Sequence, residues 1–172
     1  MRFTIARVVF AALAFTSAAC NNEPSGPTIS GIDPMPRANA LGPQRPSFNL
    51  EVILRGDGFG LVSFRQPNDA DKTIFLDVWV RGLAPNTAYV LQRAVDANVD
   101  DQCTSTAWLT LGKGLTPQSI VTDAGGTGRE ALFRSVASIA DGSEFDIQFR
   151  LVNGATQAVV LISDCYQYVV NP

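Results

Sequence analysis

TIFLDVWVRGLAPNTAY, residues 73–89, decides the fold. Ile74, Leu76, Val78 and Val80 alternate with Phe75, Asp77, Trp79 and Arg81, and a period of two puts one set on a buried face and the other outside. Gly82-Leu83-Ala84-Pro85-Asn86 then supplies turn residues, and Tyr89 opens the next apolar run. The stretch reads as a central strand, a corner and a return strand in an all-β domain.

Strand-like runs extend from it in both directions. Upstream, Asn49 to Arg55 and Leu61 to Gln66 flank Gly56-Asp57-Gly58-Phe59-Gly60, and Asp-Gly between two such runs is a strong hairpin signal. Downstream come Tyr89 to Ala94, Ala107 to Leu111, Gln118 to Thr122 and, after the glycine hairpin Asp123 to Gly128, Arg129 to Arg134. Val136 to Ile139 is either a strand end or one helical turn. Phe145, Ile147, Phe149 and Leu151 alternate cleanly with Asp146, Gln148 and Arg150; Asn153-Gly154 then turns the chain into Ala158 to Ile162 and Tyr166 to Val170. With about nine or ten short strands and no amphipathic helix, an antiparallel two-sheet β-sandwich is expected over residues 47–172, with a β-barrel as the alternative.

Two local resemblances bear on this architecture. LAPNTAY, residues 83–89, resembles the tyrosine corner of fibronectin type III and related immunoglobulin-like sandwiches. That likeness implies a Tyr89 hydroxyl tied back to nearby backbone, and implies nothing about activity. PTISGIDP followed by LEVILRGDGFG, within residues 27–60, is similar to the opening of an IPT/TIG-type immunoglobulin-like domain.

The N-terminus reads as an address. In MRFTIARVVFAALAFTSAAC, Arg2 and Arg7 precede an apolar run from Val8 to Phe15 that is too short to span a bilayer, which marks residues 1–19 as an export signal. Ser17-Ala18-Ala19-Cys20 resembles the lipobox of bacterial lipoproteins. The resemblance implies lipidation of Cys20, a membrane anchor of several acyl chains and, with Asn21 following, an outer-membrane destination facing the periplasm or the surface. Residues 20–46 carry Pro24, Pro27, Pro34, Pro36, Pro43 and Pro46, a semi-extended tether between anchor and domain.

Composition narrows the chemistry. Net charge is −3, and removing Arg2 and Arg7 makes it −5, so there is no basic footprint for nucleic acid. The 172 residues include no histidine, which removes Ser-His-Asp and Cys-His nucleophiles, histidine-ligated metals and the usual general base near neutral pH. With Cys20 assigned to the anchor, Cys103 and Cys165 form an even pair in an exported chain and are expected as a disulfide.

The remaining candidates are weaker patterns. Asp96, Asn98 and Asp100 space oxygen ligands as the start of a calcium loop does, yet the sixth-position glycine and the later glutamate are missing, so a solvated acidic turn is the plainer reading. The glycines of DAGGTGR lack both the lysine of a P-loop and a βαβ context. A carboxylate hydrolase would draw on Asp77, Asp123, Glu130, Glu144 or Asp146, and no spacing singles out a pair. Arginines beside glutamine or aromatic residues suggest a platform of Trp79, Arg81, Arg65 and Arg93 for a protein or glycan ligand, with cross-strand Arg–Asp pairing as the structural alternative. A non-catalytic binding or scaffolding module is the expectation; a calcium-assisted carbohydrate or adhesion domain comes second and a hydrolase third.

Overall fold

The structure is a computed structural model, and it describes residues 48–171. The export signal, Cys20, the proline-rich tether and most of the IPT/TIG-like opening lie outside the described residues. Among those described, every regular element is a strand, and no helix long and apolar enough to cross a membrane is present.

Seven long strands form one hydrogen-bonded path. They are β1 (Asn49–Gly56), β2 (Phe59–Arg65), β3 (Thr73–Arg81), β4 (Ala88–Asp96), β9 (Gly128–Ser135), β10 (Glu144–Asn153) and β11 (Val159–Ser163). The order is β4-β10-β11-β1-β2-β3-β9, antiparallel at every step. Its two ends, β4 and β9, come together through the segment that joins them in sequence. Leu109–Thr110 (β5) pairs with β4, the Leu111 amide donates to the Leu91 carbonyl at 2.8 Å, and Gly112–Lys113 (β6) then crosses to run parallel to β9. Thr116–Pro117 (β7) folds back on β6, and Ser119–Val121 (β8) pairs with the start of β4. The sheet is therefore nearly closed, barrel-like, the alternative form of the expected all-β architecture.

Alternation explains the interior. Val52, Leu54, Val62, Phe64, Leu76, Val78, Leu91, Phe149 and Leu151 are at most 2% exposed, and they occupy the inward parity of their strands. Burying each such side chain contributes about 1.5–3 kcal/mol. Phe64 sits edge-on to Phe149 and Tyr168, with ring centres 6.1 and 4.9 Å away.

β12 (Tyr166–Val169) continues the line of β11 along β10, with which it forms an antiparallel ladder, while side chains rather than a ladder join it to β1 and the end of β2. The Tyr166 hydroxyl accepts from the Ile53 amide. Buried Gln66 donates to the Asn171 carbonyl and accepts from the Tyr168 hydroxyl and the Asn171 amide. This latch satisfies polar groups that the missing ladder would leave bare.

Two local expectations are met. The Ala84 amide donates to the Tyr89 hydroxyl at 3.2 Å, closing the tyrosine corner. Cys103 and Cys165 form a disulfide with Cα atoms 5.4 Å apart, tying the loop after β4 to the head of β12. Val136 to Ile139 is neither a strand end nor a helical turn: it is a non-helical turn closed by the Ile139 amide on the Val136 carbonyl. The expected strand Ala107 to Leu111 is instead the short crossing pair β5 and β6, because the chain there must leave one barrel edge for the other.

Candidate functional site

Beyond Leu111, β4 and β9 have no strand between them. Parity decides what faces the gap: Arg93 and Val95 follow Tyr89 and Leu91 on the inward side of β4, and Arg134 follows Leu132 on that of β9, with Val136 just past its end. A cavity of about 80 Å³ opens there, partly exposed to solvent. Its apolar wall comes mainly from Phe64, Leu76, Leu111, Ile147 and Phe149, with Ile139 and Phe145 near the gap. No carboxylate lines it.

Arg93 and Arg134 are the charged groups of this cavity, and Tyr168 is its phenol. Burial, followed by the positive charge of Arg134, holds the Arg93 guanidinium below its ordinary range, while Tyr168 acts the other way. The Tyr168 phenol is pushed far above its ordinary range by burial, with Arg93 opposing, and its hydroxyl is already committed to Gln66. Other cations of the domain are matched: Arg55 with Asp164, Arg65 with Glu51, Lys72 with Asp141, Lys113 with Glu130 and Arg129 with Asp77. Arg150 lies over the Trp108 ring at 4.1 Å and donates to Gln92. Arg81 lies over Phe59 and Trp79, 5.2 and 5.4 Å from the ring centres. Among the described residues, Arg93 and Arg134 have neither an ion pair nor a ring contact.

The suggested platform is divided by the barrel wall. Arg65, Trp79 and Arg81 do lie on the outer parity of β2 and β3, but Arg65 is paired with Glu51 and Arg81 covers the aromatic faces. Arg93 is on the opposite side of the sheet, facing the cavity. The inward parity of Arg93 is readable from Leu91 and Val95, and that of Arg134, which ends an expected strand but is not among the candidate site residues, from Leu132.

The acidic loop is organised by its own backbone. Asp96 accepts from the Thr104 and Ser105 amides, Asn98 donates to Asp100, and Asp100 accepts from the Gln102 amide. No group of three or more His, Cys, Asp or Glu side chains among the described residues is arranged to hold a metal, and the oxygens of the candidate calcium ligands Asp96 and Asp100 already accept from loop amides and from Asn98. The hydrolase candidates are dispersed too. Asp77 binds Arg129, which holds its carboxyl below the usual range; Glu130 binds Lys113; Asp123 caps Gly125 and Thr127. Asp146 is fully buried under the acidic loop, where one oxygen accepts from the Asp100 and Gln102 amides and the other has no partner.

Comparison with protein-family models, curated proteins and solved structures finds no match to this chain.

Proposed function

We propose that this chain is an exported, membrane-tethered and non-catalytic binding module, and that its ligand inserts an apolar group into the open end of the barrel. One observation carries the reading: a strand-lined apolar cavity sits where the sheet fails to close, with cationic side chains at its edge. Binding sites favour such mouths, because the surrounding ladder holds the wall rigid while the gap admits the ligand. Against catalysis stand the absence of histidine and the prior engagement of Asp77, Asp123 and Glu130 by other groups. The lipobox-like Ser17-Ala18-Ala19-Cys20 and the prolines behind it support an anchor in the bacterial outer membrane with the barrel held away from it.

The cavity is apolar in lining and open to solvent on one side, so a short apolar chain can enter with its polar end left at the opening. Pentanol added to the purified full chain is expected to raise the melting temperature saturably. Val95→Phe, which fills the cavity from its edge, is expected to keep the fold and remove that response. No saturable shift in the unsubstituted protein would count against the site. For the anchor, labelled palmitate should enter the chain and detergent-phase partitioning should follow; both should vanish in Cys20→Ser, and persistence of the label there would overturn the lipidation.

A further inference from the structure

We propose that the ligand carries a compact anionic group, carboxylate or phosphate, held between Arg93 and Arg134 while its short apolar body fills the cavity. The inference rests on the reading of that cavity as a binding site.

Placement is the first support. Arg93 and Arg134 sit on the inward parity of β4 and β9, the two strands on either side of the unclosed gap, and both line the same cavity. Inward parity in a barrel normally holds apolar side chains, as Leu91 and Leu132 do one step away. Two guanidiniums there are an exception that packing alone does not require.

Charge is the second. Arg93 is substantially buried and has Arg134 close enough to act on it electrostatically, yet no acidic side chain lines the cavity to offset the pair. Elsewhere in the domain five cations have found carboxylates. A desolvated charge without a partner is unfavourable, and two like charges facing one gap make it more so. An anion bound between them removes both penalties at once. The planar fork of arginine suits the oxygens of a carboxylate or a phosphate and offers them paired donors.

Size is the third. The small cavity takes a short aliphatic or branched body, so the head group supplies much of the affinity and all of the polarity. The Tyr168 hydroxyl is spent on Gln66 and does not compete for the head.

The decisive experiment compares pentanoate, pentyl phosphate, pentanol and pentylamine on the purified full chain, by calorimetry at low and at high salt. Pentanoate or pentyl phosphate is expected to bind at least about tenfold more tightly than pentanol, with salt weakening the anions and leaving the alcohol unchanged. Whichever anion binds more tightly identifies the head group. Arg134→Gln and, separately, Arg93→Met should reduce the anion to the level of pentanol without changing pentanol itself. Equal affinity for pentanol and both anions, or preference for pentylamine, overturns the anionic head while leaving the apolar site standing. Failure of all four to bind overturns both readings. Should either arginine variant unfold, the salt dependence and the alcohol-to-anion ratio of the unsubstituted protein decide the matter alone.

Discussion

Tyr168 concentrates several physical demands in one side chain. Its ring packs against Phe64, its hydroxyl donates to buried Gln66, and burial raises its pKa well above the ordinary phenol value. Tyr166, on the same strand, is shifted upward by burial as well, with the Ile53 amide and other groups modulating the shift. The folded chain therefore keeps these protons at a pH where the unfolded chain, with tyrosine near 10, releases them. Their contribution is fully present below about pH 10 and is lost as pH rises from there toward the folded values, at up to about 1.4 kcal/mol per pH unit for each tyrosine. Urea titrations between pH 9 and 11 should show the midpoint falling, and Tyr168→Phe should flatten the slope. At neutral pH the same substitution should cost about 1 kcal/mol, since Gln66 keeps the Asn171 amide as its other donor. An unchanged slope in the variant would mean that the phenol ionises as freely in the folded chain as in the unfolded one. Gln66 itself shows where residue-level reading stops. In the sequence it is only the last residue of the run Leu61 to Gln66, whereas the latch it forms depends on Asn171, 105 positions away.

At the level of elements, the long strands were legible because a period of two persists over seven or more residues and turn chemistry punctuates it, as in β3 and β10. The corner was legible for the same reason: Leu83 to Tyr89 is a local motif with a local hydrogen bond. The crossing from β5 to β6 was not, since two-residue strands carry no period and their partners are distant in sequence. One residue makes that crossing workable. A Cβ on Gly112 would lie 1.9 Å from the Thr116 carbonyl oxygen, with further backbone atoms within 3 Å. The β6–β7 turn can pass this closely only because position 112 has no side chain. Gly112→Ala should therefore push the hairpin away from the seam and cost about 2 kcal/mol, the usual scale of overpacking. Hydrogen exchange should localise the damage. The Leu111 and Gly114 amides, which bind β4 and β9, should exchange faster, while amides on β1 and β2 remain protected. A variant of unchanged stability and protection would show that the seam does not depend on that close approach.

For the molecule as a whole, barrel closure and the disulfide address different parts of one problem. The β5–β6 crossing and β8 join β4 to the β9 side, the Gln66 latch joins β12 to the end of β2, and neither seam has a full ladder. Cys103–Cys165 fixes the loop between β4 and β5 to the start of β12, spanning 62 positions of sequence. Without it, the acidic loop would rest on Asp146, Asp96 and the amides that these carboxylates accept. Chain-entropy arguments give about 4 kcal/mol for closing a loop of that size, a large share of the 5–15 kcal/mol typical of a domain. Reduction, or the double substitution Cys103→Ser with Cys165→Ser, is accordingly expected to lower unfolding free energy by about 4 kcal/mol in urea titration. The change should fall chiefly on the denatured state, so the native far-ultraviolet spectrum and the cavity's response to pentanol should survive below the transition. Loss of pentanol binding at a denaturant concentration where the reduced chain is still folded would give a different answer. It would mean that the bridge shapes the native mouth of the barrel, through Tyr168 and β12, and does more than constrain the unfolded chain.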